Sequence, residues 1–133
     1  MRGVLCTGLL LIATAAHAAN GIDVRRGEDT NLFGSCVPSL VVENKSAEII
    51  DFLQVDLAVV LSDGQQRVVP LQSAYREGIP HPIEPGAKAI LKQPLDLSRS
   101  LGVTCADVKS RTVSRTICEA AGAACASSVT VQP

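Results

Sequence analysis

The sequence predicts an all-β domain, a β-sandwich of about seven short strands. Three observations predict it. Short apolar runs with a two-residue period recur along the chain, and turn residues punctuate them. No stretch carries a convincing amphipathic-helix rhythm. Of the 133 residues 47% are hydrophobic yet only 2% are aromatic, so Val, Leu, Ile and Ala must build the core. A formal net charge of −1 offers no polybasic or polyacidic field, which argues against nucleic acid and membrane surfaces as partners.

Residues 1–18 read as a secretory signal peptide: Arg2, then Leu9-Leu10-Leu11-Ile12-Ala13, then the small-residue exit Ala16-His17-Ala18. The apolar run is shorter than the ~20 residues of a membrane span, so no membrane insertion is expected. Cleavage after Ala18, or alternatively after Ala19, leaves residues 19–133 as a single domain for the periplasm or the cell exterior.

Within that domain residues 19–29 are polar and irregular, a loose terminus or short edge strand. Residues 31–42 lead into the strand Leu40-Val41-Val42, with Pro38 favouring an edge or a strand start. Asn44-Lys45-Ser46 supplies a turn and matches the N-glycosylation pattern. Residues 49–61 alternate through Leu53, Val55, Leu57, Val59 and Leu61 as a strand with one buried face. Ile49, Leu53, Leu57 and Val60 would instead line a helix. The β-branched content, the Asp63-Gly64 hairpin signal and the missing helix cap favour the strand. Its length predicts a bulge near Asp56. Arg67 to Leu71 reads as the return strand, and Ile79-Pro80-His81-Pro82-Ile83-Glu84-Pro85-Gly86 as a stiff, extended connection ending in a tight turn. Residues 87–97, 103–117 and 123–131 complete the set.

Five cysteines are present, and Cys6 lies within the leader. The even set Cys36, Cys105, Cys118 and Cys125 predicts two disulfides in an oxidising compartment. A metal site would want closely spaced pairs, so no metal and no cofactor are expected. If Ala121-Gly122 is a two-residue hairpin loop, Cys118 and Cys125 lie directly opposite, leaving Cys36 for Cys105. The alternative joins Cys36 to Cys118 and Cys105 to Cys125.

Chemistry is sparse. His81 is the one histidine outside the leader and reads as an exposed loop residue. No phosphate loop, H-E-x-x-H or G-x-S-x-G motif is present, so no enzyme is expected. Asp51, Asp56 and Asp63 read as solvated strand and turn positions. Lys109, Arg111 and Arg115 share parity and would lie on one side of an extended chain, as an ordinary solvated face. Ser110, Thr112, Ser114 and Thr116 oppose them, and such a two-sided polar strand suits an edge that would allow homodimers by edge pairing or strand exchange.

Leu40-Val41-Val42-Glu43-Asn44-Lys45-Ser46, the long apolar strand, Asp63-Gly64 and Ile83-Glu84-Pro85-Gly86 follow a strand–turn rhythm. Across most of residues 36–131 this resembles bacterial immunoglobulin or fibronectin type III-like domains. The chain departs from true immunoglobulins in having no tryptophan. In size and cysteine content it is similar to the small secreted interleukin-receptor-mimic family. The resemblance implies an immunoglobulin/fibronectin III-like sandwich and carries over no functional residue. The functional expectation is a non-enzymatic binding domain with an unknown protein partner, contacted through the loop Ile79, Pro80, His81, Pro82 and Ile83. The alternatives are an inhibitor of a secreted hydrolase and a subunit acting by strand addition.

Overall fold

The computed structural model describes residues 21–73, 75, 76, 79–94 and 100–133. The leader expected over residues 1–18 lies outside them. Twelve strands and a single 3-10 turn (Cys105–Asp107) are present among the described residues, and no α-helix. The principal strands are β1 (Ile22–Arg26), β4 (Ser39–Asn44), β5 (Phe52–Leu61), β6 (Gln66–Gln72), β9 (Lys88–Lys92), β10 (Val108–Ala120) and β12 (Val129–Gln132). With the two-residue β11 (Ala123–Ala124) they form an eight-stranded sheet in the order β11-β10-β5-β6-β9-β4-β1-β12. Two ladders stand apart from it: β2 (Thr30–Leu32) with β3 (Ser35–Val37), and β7 (Tyr75–Arg76) with β8 (Ile79–Pro80).

The sheet curls on itself because its apolar residues lie on one face. On β5 the alternating Leu53, Val55, Leu57, Val59 and Leu61 are all buried, as the period-two pattern demands. They share a core with Ile22 and Val24 of β1, Leu40 and Val42 of β4, and Leu91 of β9. Among the described residues the two halves of the sheet join at one residue pair, Gln72 with Lys92, between β6 and β9. Beyond that pair, the facing edges of β6 and β9 have no ladder partner among the described residues.

Pro70 sits inside β6, opposite Asp56. The Ser73 N–H donates to Leu53 O and the Leu61 N–H to Gln65 O. This alternation puts Pro70 at a non-bonded position, its missing donor turned away from β5. The long-strand expectation holds over 52–61, and the irregularity foreseen near Asp56 lies on its partner. The β10–β5 register shifts between Val113 and Arg115, opposite Leu57 and Asp56, and again between Val108 and Ser110.

The turn chemistry also follows the sequence. Glu84-Pro85-Gly86-Ala87 closes with Ala87 N–H donating to Glu84 O, and Gly86 takes φ 79°. Asn44 is fully buried, its Nδ2 donating to Glu48 O and Ile83 O. The match to the N-glycosylation pattern is therefore unusable in the folded chain, because both amide protons are engaged inside the fold and the acceptor nitrogen is inaccessible.

Candidate binding surface

Two disulfides shape the ends of the sheet. Cys118 bonds Cys125 across the β10–β11 hairpin, with Cα atoms 5.4 Å apart. Its register, Glu119 with Ala124 and Ala120 with Ala123, is that of a two-residue Ala121-Gly122 loop. The Cys125 N–H donates to Cys118 O, so the cystine bridges the wider, hydrogen-bonded pair. Cys36 bonds Cys105 with Cα atoms 4.6 Å apart, joining β3 to the 3-10 turn that precedes β10. The structure therefore has the pairing that the hairpin-loop argument favoured.

The longer link holds up an unusual feature. In the β2–β3 hairpin Leu32 pairs with Ser35 across the loop Phe33-Gly34, whose φ angles are 50° and 75°. A two-residue loop with both φ positive wants Asn-Gly, Asp-Gly or Gly-Gly. Phenylalanine in that first position strains the backbone by roughly 1–2 kcal/mol. It is also 92% exposed, while the neighbouring Leu32 is about half exposed. The hairpin base is clamped by the disulfide and by three hydrogen bonds. Cys36 N–H donates to Val103 O at 2.6 Å, Cys105 N–H to Asn31 Oδ1 at 2.8 Å and Gly102 N–H to Ser35 Oγ at 3.0 Å. The molecule thus presents an aromatic ring at the tip of a hairpin whose base is tied down. Sequence reasoning missed Phe33. The available signal was a Phe-Gly pair, where hairpins usually carry Asn or Asp, beside a cysteine.

Below the hairpin runs an apolar groove of about 620 Å³, floored by Leu32, Val37, Val41 and Ile90 and flanked by Glu28 and Lys92. A second groove of about 570 Å³ lies along the other side of β9, between Lys88, Ile90 and Lys92 and the segment His81, Pro82, Ile83. The two share Ile90 and Lys92, so β9 separates adjoining depressions.

The expected partner loop is only partly a surface. His81 and Pro82 are exposed, Ile79-Pro80 pair as β8 with Tyr75-Arg76, but Ile83 is 2% exposed and bridges Ile50. Ile83 is a core residue, drawn in by its apolar side chain and by Asn44, which holds its carbonyl.

The basic face is likewise corrected. The register shift at Val113/Arg115 turns residues of one sequence parity to opposite faces of the sheet. Arg111 sits opposite Val59 and points inward to Asp29, whereas Arg115 sits opposite Asp56 on the outer face. The acidic residues have local partners. Asp51 accepts from Ala121 N–H, Asp63 from Gln65 N–H, and Asp56 from Gln54 Nε2 and Arg115 Nε. Among the described residues no group of three or more His, Cys, Asp or Glu converges on a metal-sized space.

Among solved structures the chain is similar to IrmA from Escherichia coli, at 15% identity and a TM-score of 0.52, over 84% of this chain and 91% of that one. The likeness is one of fold. No family model and no curated protein sequence matches the chain. At this identity no residue role transfers.

Proposed function

We propose that this chain is a non-enzymatic binding domain of the periplasm or cell exterior, built on an immunoglobulin/fibronectin III-like sandwich, and that it meets a protein partner through Phe33. The single observation that carries the reading is the ring itself: an aromatic side chain 92% exposed on a backbone conformation that disfavours it. Such strain persists where the side chain has a use, and rigid aromatic anchors dominate protein interfaces. The tied-down hairpin base reduces the ordering entropy of binding.

The sandwich reading is supported by the two sheet halves, which share one core and, among the described residues, join only at Gln72 and Lys92. The resemblance to the interleukin-receptor-mimic family and the fold likeness to IrmA point the same way. The compartment is supported by two disulfides, bonds that persist in oxidising surroundings. Among the described residues no helix is long and apolar enough to cross a membrane.

The test is capture from periplasmic and secreted extracts with the wild-type domain and with Phe33→Asn. A partner retained by the first and lost by the second supports the reading. Equal capture, or substrate turnover that disappears in a His81 or Asp56 variant, overturns it. Pairing of two copies through β10 has weaker support, because two bulges interrupt its free edge. A constant mass in light scattering over about a hundredfold concentration range would remove it.

A further inference from the structure

Strand edges are the other recognition feature of the molecule, and among the described residues β6, β9, β10 and the terminal four-residue β12 lack a partner along part or all of one side. β10 is paired on its second side only at Cys118, Glu119 and Ala120 among the described residues, but the register shifts at Val108/Ser110 and Val113/Arg115 break the rest of that edge. β6 turns toward its open edge at Pro70, which has no N–H to offer, and so cannot continue a ladder there. β9 is different. It pairs with β4 through five consecutive residues without a bulge, Lys88 with Glu43 to Lys92 with Ser39. On its other side, among the described residues, it is paired only where Lys92 meets Gln72.

The direction of its backbone groups follows from one hydrogen bond. Asn44 N–H donates to Ala87 O, so Ala87, Ala89 and Leu91 turn their backbone toward β4. Lys88 and Ile90 therefore turn theirs to the open side. That side faces the groove bounded by His81, Pro82 and Ile83. Past Gln72 the described chain goes over to the β7–β8 ladder, and neither strand of that ladder pairs with β9.

The side chains specify the guest. Ala89 and Leu91 point inward, and Lys88, Ile90 and Lys92 form an exposed cation–apolar–cation stripe; among the described residues Glu84 is the one carboxylate lining the groove, and Glu43 stands opposite Lys88 on β4. Cross-strand neighbours on one face interact directly, and opposite charges favour the pairing. We propose that β9 accepts an extended segment of a partner protein as an added strand, with acidic, apolar and acidic residues at alternate positions. The inference rests on the reading of this chain as a binding domain, but not on Phe33.

The test uses a blocked peptide of alternating Thr and Glu-Val-Glu positions, titrated by NMR against the intact domain. Saturable binding with hydrogen-exchange protection of the Lys88 and Ile90 amides is expected. Replacing both glutamates by lysine should abolish binding, and Lys88→Ala with Lys92→Ala should weaken it roughly tenfold. Both lysines are exposed, so the double variant keeps the fold. Equal binding of the lysine peptide, no saturation, or amide protection confined to β10 or β6 would overturn the proposal. A Phe33→Asn domain should bind the peptide unchanged. Failure here is thus separate from failure of the Phe33 contact, which is read by capture alone.

Discussion

Arg111 reaches from β10 to Asp29 in the β1–β2 connection, its Nη1 3.0 Å from Oδ1 and 3.2 Å from Oδ2. Its side chain is 5% exposed, and its Nε and Nη2 are buried with no hydrogen-bond partner among the described residues. The ion pair is the one charged tie that crosses between the core face of β10 and the far half of the sheet among the described residues. Removing Arg111 loses two charge-assisted hydrogen bonds and the packing of a buried side chain, while Asp29 keeps Arg26 and the Ser39 N–H.

Arg111→Ala should therefore destabilise the fold by about 3 kcal/mol. Arg115, whose side chain is 62% exposed beside Asp56, should cost less than about 1 kcal/mol when replaced by Ala. Urea denaturation of the two variants checks this. Equal losses would mean that the bulge does not separate the two arginines.

Acid should weaken the same tie. Burial would by itself raise the Asp29 carboxyl, but hydrogen bonds from Arg26 and Arg111, the Arg111 charge and the Ser39 N–H outweigh it and hold the group below its ordinary value. Glu48 is held low by its bonds from Ser127 and the Ala126 N–H. A depressed carboxylate stabilises the fold above its unfolded pKa and loses that contribution as pH falls through the folded one. The urea midpoint should be level above about pH 5 and fall below about pH 4. Asp29→Asn should start lower and decline less steeply over that range.

The two disulfides should differ in weight. Cys36 and Cys105 are 69 residues apart in sequence, Cys118 and Cys125 only 7. By chain entropy the long link stabilises by about 4 kcal/mol and the short one by about 2.5 kcal/mol. Thermal melting of the double variants Cys36→Ala/Cys105→Ala and Cys118→Ala/Cys125→Ala should show the larger loss in the first. The first should also free the hairpin beneath Phe33.

Much of this was legible in the sequence, for identifiable reasons. The alternation from Leu53 to Leu61 is a local period that burial enforces, and the 118–125 register follows from loop length alone. The bulge was expected, but its strand was not, because a register shift belongs to a pair and one strand's sequence cannot assign it. That shift is what separated Arg111 from Arg115. Ile83 was misplaced because prolines on both sides of His81 signal stiffness, not exposure. Phe33 escaped notice because a left-handed φ at a bulky residue runs against local propensity, and only the tertiary clamp on Cys36 and Asn31 sustains it.

The claim that Phe33 is kept for contact rather than for folding has a direct test. Ala121 occupies the same first position of a two-residue positive-φ loop, with φ 51°, at the other cystine-bearing hairpin. Phe33→Asn and Ala121→Asn each create the Asn-Gly pair that such a loop favours, and each should stabilise the fold by about 1 kcal/mol. The decisive measurement is thermal melting of both variants alongside partner capture. The account predicts that both melt higher, that Ala121→Asn captures the partner as wild type does, and that Phe33→Asn does not. A Phe33→Asn domain that melts lower, or that captures the partner undiminished, would contradict it.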